Sequence, residues 1–266
     1  MQQLRIGVLS DLHSEFWTDL TQLKAEIIAP YAAEAPDAMV LAGDIGVTSV
    51  SAGLADYATA ARQIELESTL DAWCAMMAPC PVIYVAGNHE YVGTGKDPAA
   101  LWRVLRNLAA TYNNFYPLQS GSAVTVCSRR WLGDTGWYPE TVEAAAWWPN
   151  WFDARYTPAG YPFAEHRKWK AWLTAELAAG DIVVTHMLPC SAAIAPRWRT
   201  AKSNCFFDQQ LDTLIGERSP ALWLFGHTHD SIDVTLPNGT RLYANPYGDH
   251  DYALNAAAEL PSIITL

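Results

Sequence analysis

Apolar runs of four to six residues, rich in Val, Ile and Leu, recur along this chain and alternate with longer stretches in which apolar positions return every three or four residues. Leu4–Leu9 precedes a helical pattern within Asp19–Ala35, Ala38–Leu41 precedes one within Leu54–Met77, and Val82–Val85 precedes one after Pro98. Short continuous apolar runs between helical patterns describe strands buried on both faces, so the alternation predicts βαβ units of the α/β class. The middle differs, with strand-like pieces at Ala123–Cys127 and Arg130–Leu132 and then an irregular aromatic stretch from Trp137 to Phe163. A helix over Phe163–Ala179 follows, then a strand at Asp181–Thr185, a helix around Phe207–Ile215 and a strand at Ala221–Phe225. Pro237-Asn238-Gly239 between Asp233–Leu236 and Thr240–Ala244 predicts a hairpin, because Asn and Gly tolerate positive φ. No repeat or linker divides the chain, so residues 1–266 read as one domain with an aromatic-rich insertion at about 137–163.

Five of the predicted strands end directly in residues that bind metals. Leu4–Ser10 runs into Asp11-Leu12-His13, Ala38–Ala42 into Gly43-Asp44, Val82–Ala86 into Gly87-Asn88-His89-Glu90, Asp181–Thr185 into His186, and Ala221–Phe225 into Gly226-His227-Thr228-His229. Ligands of open α/β sheets collect beyond the carboxyl ends of the strands, so the clusters are expected to share one edge of the sheet. Residues two apart in extended chain point the same way, which lets Asp11 converge with His13 and His227 with His229. Five of the seven histidines fall in these clusters; His166 and His250 do not, and His166, beside Arg167, Lys168 and Lys170, reads as a surface imidazole. Carboxylate, amide and imidazole donors without thiolate suit borderline or hard divalent ions, and seven or eight convergent groups imply two of them.

Composition narrows the function classes. The 266 residues are 50% hydrophobic and 17% charged, which supplies a large core and excludes disorder. With 17 Lys and Arg against 28 Asp and Glu, the net charge of −11 argues against a nucleic-acid partner. Five cysteines without a Cys-x-x-Cys argue against a disulfide framework or a thiolate zinc site, and they read as reduced core residues. Without a long apolar span or a signal-peptide pattern, the chain is expected in the cytoplasm with no membrane partner. Oligomeric state is not encoded in the pattern.

The ordered motifs Asp-x-His, Gly-Asp, Gly-Asn-His-Glu, a lone His and Gly-His-x-His, spanning Asp11 to His229, resemble those of the calcineurin-like metallophosphoesterase superfamily, and more locally its small bacterial phosphoesterases. The resemblance implies a four-layer α/β/β/α sandwich. It implies one metal held by Asp11, His13, Asp44 and His229, a second held by Asp44, Asn88, His186 and His227, and Asp44 as the bridge. His89 would face the phosphoryl group as general acid, beside Asn88. The implied reaction is hydrolysis of a phosphomonoester or phosphodiester in a small phosphorylated substrate, by in-line attack of a hydroxide shared between the ions. Mn, Fe, Zn, Ni and Co all fit such donors, with Mn the first choice for assay. Activity is expected to fall below about pH 6, where imidazoles and carboxylates protonate.

Relatives that continue the second motif as Gly-Asp-x-x-Asp carry a second aspartate there, whereas Gly43-Asp44 is followed by Ile45-Gly46-Val47-Thr48. This argues against a protein phosphatase or cyclic-nucleotide phosphodiesterase of that pattern and leaves open what orients His89, with Glu90 the nearest carboxylate in sequence. The tryptophan-rich stretch (Trp131, Trp137, Trp147, Trp148, Trp151) is either a satellite core or a cap over the site. Arg197, Arg199 and Lys202, in the loop after His186, are candidates to reach phosphate oxygens. A nuclease and a non-catalytic scaffold of the same fold are the competing functions.

Overall fold

The structure is a computed structural model, and residues 3–48, 64–248 and 258–266 are described here. Strands β1 (Arg5–Leu9), β2 (Ala38–Ala42), β3 (Val82–Val85), β4 (Phe115–Pro117) and β11 (Ile263–Thr265) form one sheet in the order β11-β1-β2-β3-β4. Strands β5 (Ala123–Val126), β6 (Arg129–Asp134), β7 (Ile182–Thr185), β8 (Leu222–Leu224), β9 (Ile232–Thr235) and β10 (Arg241–Ala244) form the other, in the order β5-β6-β7-β8-β10-β9. β1 through β4 pair in parallel, as do β6, β7, β8 and β10, while β11, β5 and β9 close the edges antiparallel.

Alternation along the strands explains why the sheets stack. Ile6, Val8, Val40, Ile83 and Val85 face inward with Trp131, Ile182, Val184, Leu222 and Leu224 of the other sheet in one buried cluster. Their neighbours Leu9, Met39, Leu41, Val82 and Tyr84 face the opposite way, into a core shared with helices α1 (Leu20–Leu23), α2 (Ala29–Glu34), α3 (Leu66–Met77) and α4 (Pro98–Thr111). Leu132, Val183, Trp223 and Leu242 turn outward against α6 (Tyr161–Glu176) and α7 (Asp212–Arg218). Period-two alternation on both sheets thus yields the expected four layers, helix, sheet, sheet, helix.

Several elements differ from the sequence reading for identifiable reasons. The helix expected within Asp19–Ala35 is interrupted by a π-helical turn at Lys24–Ile28. Pro30 has no N–H to give to Glu26 and would crowd its carbonyl, so the ladder widens ahead of it. The helix expected around Phe207–Ile215 begins only at Asp212, because Leu188 and Asp208 form a β-bridge that holds the preceding chain extended. Strands β4 and β11 are three-residue edge strands with too little pattern to announce themselves. The described part of the Leu54–Met77 expectation is α3; the rest lies outside the described residues, as does His250. Of the cysteines, all free, only Cys74 and Cys190 are buried, and Cys127 is exposed, so the group is not uniformly a core set. Among the described residues no helix is long and apolar enough to cross a membrane.

Candidate metal centre and active site

The five motif loops meet where the carboxyl ends of β1, β2 and β3 in one sheet lie beside those of β7 and β8 in the other. The shared edge is therefore the common end of two stacked sheets rather than the rim of one. The backbone there is not extended. Asp11 (φ 52°), His13 (φ 49°), Asp44 (φ 52°), His227 (φ 65°) and His229 (φ 49°) all adopt the left-handed conformation. Such positions cost non-glycine residues about 1–3 kcal/mol each and persist only where the surroundings over-determine them. Left-handed kinks, not the same-side geometry of an extended strand, aim these side chains.

The surroundings are backbone hydrogen bonds between the loops. The N–H groups of Asp11 and His13 donate to the carbonyls of Gly43 and Asp44 at 3.0 Å, and that of Gly226 donates to His186 O at 3.0 Å. The Asp11 carboxylate accepts the N–H of His227 at 3.0 and 3.1 Å, and Asp44 Oδ1 accepts that of His89 at 2.9 Å. Close approach requires glycine here: a Cβ on Gly87 would collide with the Asp44 carboxylate, one on Gly43 would lie 2.5 Å from His186 Nδ1, and one on Gly226 would lie 2.7 Å from Asp11 Oδ2.

All seven residues proposed from sequence as ligands come together, in two groups. Ligand atoms of Asp11, His13 and His229 lie within 4.8 Å of one another, and so do those of Asp44, His186 and His227. His227 and His229, expected to converge with each other, thus part into different groups. Asp44 Oδ2 sits between them, 3.2 Å from His186 Nε2 and 3.9 Å from His13 Nε2. Asn88 joins the second group through Oδ1, 3.1 Å from His186 Nε2.

Hydrogen bonds fix which imidazole nitrogens face the centre. His186 Nδ1 lies 2.9 Å from the carbonyl of Ala42 and so carries a hydrogen, which makes Nε2 the atom that would ligate once a cation displaces its proton. His13 Nδ1 lies 3.1 Å from Glu15 Oε1, with the same consequence. The Nε2 atoms of His13 and His227 are buried with no hydrogen-bond partner. Orphaned imidazole nitrogens next to carboxylates, with no thiolate nearby, fit divalent cations bound by N and O donors.

The charges of the metal-free site hold one another in place. Burial alone would raise Asp11 and Asp44, but hydrogen bonding and charge from His229 lower Asp11, and the charges of His186 and His89 hold Asp44 well below the carboxylate range. Burial would lower His13, yet its bond to Glu15 raises it to about 10, and Asp44 raises His186 to about 9 against the same penalty. His227 has no such partner, and burial together with the charge of His186 takes it down to about 3. An imidazole that stays neutral far below pH 7 is ready to bind a metal.

Sequence reasoning missed two carboxylates. Asp153, buried within the aromatic insertion, accepts from Asn88 Nδ2 at 3.0 Å and from the Tyr138 hydroxyl at 2.6 Å, which orients the Asn88 amide with Oδ1 toward the centre. Glu15, 1% exposed, lies 3.7 Å from His89 Nδ1 as well as against His13. Its spacing two residues beyond His13 was the available signal. Glu90 does not orient His89; its carboxylate accepts the N–H groups of Asp44, Ile45 and Gly87 and the hydroxyl of Tyr84.

The insertion is not a satellite core: most of its aromatic rings join the main core, and Phe152 reaches the site. Trp151 stacks on Phe206 at 4.1 Å and Trp148 packs on Phe163, continuous with the main core, while Phe152 stacks on the His89 ring at 4.6 Å. His166 is not a surface residue. It is 3% exposed, with Nδ1 against the carbonyl of Trp137, because the face of α6 that carries it packs on the insertion. Arg197 pairs with Asp230 at 2.7 Å, and Arg199 and Lys202 are exposed.

The family model for calcineurin-like phosphoesterases matches residues 4–231. The chain belongs to that family. No curated protein matches it at a significant level. Among solved structures it is similar to a phosphopantetheinyl hydrolase from Mycobacterium tuberculosis, with 15% identity, 91% of this chain and 89% of that chain covered, and a TM-score of 0.61. A dimetal phosphatase from Danio rerio aligns with 14% identity over 91% of this chain and 86% of that one, at a TM-score of 0.49. The calcineurin-like phosphoesterase motifs are carried on the same fold as that of the phosphopantetheinyl hydrolase.

Proposed function

We propose that this calcineurin-like phosphoesterase works with two divalent cations, one held by Asp11, His13, His229 and Asp44, the other by Asp44, Asn88, His186 and His227, with the Asp44 carboxylate shared. The observation that carries the reading is the pair of buried Nε2 atoms without a hydrogen bond, those of His13 and His227, in ligand groups on either side of Asp44. When bound, such cations lower the pKa of a water between them and offset charge on phosphoryl oxygens. Mn²⁺ is the assay metal of choice, and the whole chain acts as one catalytic domain carrying the insertion at 137–163.

The chain's own groups do the rest. His186 and His13 present Nε2 because their Nδ1 hydrogens are engaged, and Asp153 keeps the Asn88 amide from turning. His89, with its side chain 17% exposed and Nε2 3.9 Å from Asp44 Oδ2, donates the proton that the departing ester oxygen needs. Phe152 covers one face of that ring and keeps water from it. Phe207 packs against His227 at 4.2 Å, so the site is walled by aromatic rings on two sides and suits a small phosphoester with an apolar or aromatic leaving group. The test is His89→Asn, which is expected to lower kcat by about 10²–10⁴-fold while both metals stay bound. Unchanged turnover would remove His89 from the mechanism.

A further inference from the structure

Glu15 stands on the short turn Ser14–Phe16, directly after the left-handed His13. The reversal at His13 brings the Glu15 side chain back beneath the imidazole, and the turn is anchored by Ser14, whose hydroxyl donates to the carbonyl of Ile64 at 3.2 Å. One oxygen, Oε1, then addresses two rings: it lies 3.1 Å from His13 Nδ1 and 3.7 Å from His89 Nδ1. The rings meet edge to face, with centroids 4.6 Å apart and an interplanar angle of 79°.

A carboxylate oxygen only accepts hydrogen bonds, so the 3.1 Å contact holds His13 with hydrogen on Nδ1, and at 3.7 Å the charge of the same oxygen favours that form of His89. Both then turn Nε2 toward the same atom, since His13 Nε2 and His89 Nε2 each lie 3.9 Å from Asp44 Oδ2. Phe152, stacked on His89 with an interplanar angle of 20°, restricts that ring to rotation in its own plane. A small rotation of that kind on substrate binding would bring the Glu15 contact to hydrogen-bond length.

We propose that Glu15 is the positioning residue of His89: it fixes the tautomer and direction of the proton donor and couples it to the neighbouring ligand His13. The proposal rests on the phosphoesterase reading above and on the geometry of one oxygen shared by two imidazoles.

The experiment uses the Mn²⁺-loaded protein and two esters of the same phosphoryl group, one leaving as p-nitrophenolate and one as a simple alkoxide. An alkoxide needs protonation to leave and p-nitrophenolate does not, so their rate ratio reports on His89 rather than on folding or metal binding. Glu15→Gln is expected to lower kcat for the alkyl ester about 10–100-fold and for the aryl ester less than about 3-fold, with KM and the metal content at saturating Mn²⁺ unchanged. Glu15→Asp keeps the charge and recovers part of the loss; if the glutamine variant does not fold, the aspartate variant's rate ratio decides. In a His89→Asn background, Glu15→Gln should change the ratio no further. Equal losses on both esters, loss of metal, or additive effects in the double variant would overturn the proposal. A His89→Asn protein with the wild-type ratio would instead overturn the role given to His89, independently of Glu15.

Discussion

Replacing Glu90 with glutamine tests the scaffold beneath the site. The side chain is fully buried, and its two oxygens receive four donors. Oε2 accepts the N–H of Asp44 at 3.0 Å and of Gly87 at 2.8 Å, while Oε1 accepts the N–H of Ile45 at 2.9 Å and the Tyr84 hydroxyl at 3.0 Å. Burial, reinforced by the charge of Asp44, pushes this carboxyl up to about 8 in the metal-free protein. A protonated Glu90 would need an acceptor for its own hydrogen, and each oxygen already faces two donors. Cations that offset Asp44 favour the ionised form. Glutamine resembles the acid but not the carboxylate, so the two states predict different outcomes. Against the carboxylate, the variant sets its NH₂ toward Tyr84, whose hydroxyl can turn to accept, and toward the Ile45 N–H, which cannot. One charge-assisted bond is lost and one buried N–H is orphaned, at a cost of about 2–4 kcal/mol. For a chain of this size that is a fall in Tm of roughly 5–10 °C, read by thermal unfolding of the metal-loaded protein. Tyr84→Phe removes one donor and leaves the three N–H bonds, so it should cost only about 1 kcal/mol. A glutamine variant as stable as the parent, or a phenylalanine variant equally damaged, would refute the four-donor argument.

Two further outcomes follow from buried groups beside the site. Asp153→Ala frees the Asn88 amide to turn its NH₂ toward the centre and should weaken one metal site about 10–100-fold in a titration, with Tyr138→Phe milder; equal affinities for both variants and the parent would contradict the assigned orientation. His166 has its pKa pushed down to about 4, by burial first and then by Lys170 and Arg167, against the hydrogen bond to Trp137. The unfolded chain takes up this proton near pH 6.5 and the folded one only near 4, so stability present above pH 6.5 is lost as pH falls toward 4, by at most about 3 kcal/mol. Urea unfolding of His166→Gln should show a shallower decline over that window, and an unchanged slope would exclude His166 as its source.

The ends of β1, β2, β3, β7 and β8 were legible in the sequence because each buried strand is apolar on both faces and each ends in a polar cluster. That pattern brought the candidate clusters to one edge, and the family resemblance singled out the seven ligand candidates among them. It did not reveal how they are aimed, because Asp and His favour the left-handed conformation of Asp11, His13, Asp44, His227 and His229 too weakly for residue type to announce it. Asp153 was illegible for a different reason. Its partner Asn88 is 65 residues away, and the packing of Trp137, Tyr138 and Phe163 into the main core, with Trp148 and Trp151 against it, brings the insertion back to the site. His166 was misread because its cationic neighbours describe the exposed side of α6, while the imidazole sits on the buried side.

On the proposed reading, the two groups around Asp44 hold the cations that phosphoester hydrolysis needs. The most direct measurement is the metal content of the purified protein together with its turnover of paired aryl phosphomonoester and phosphodiester substrates, with and without added Mn²⁺. About two metals per chain, and turnover that chelation abolishes and Mn²⁺ restores, is the predicted result. A chain that binds no metal and hydrolyses neither ester would contradict it.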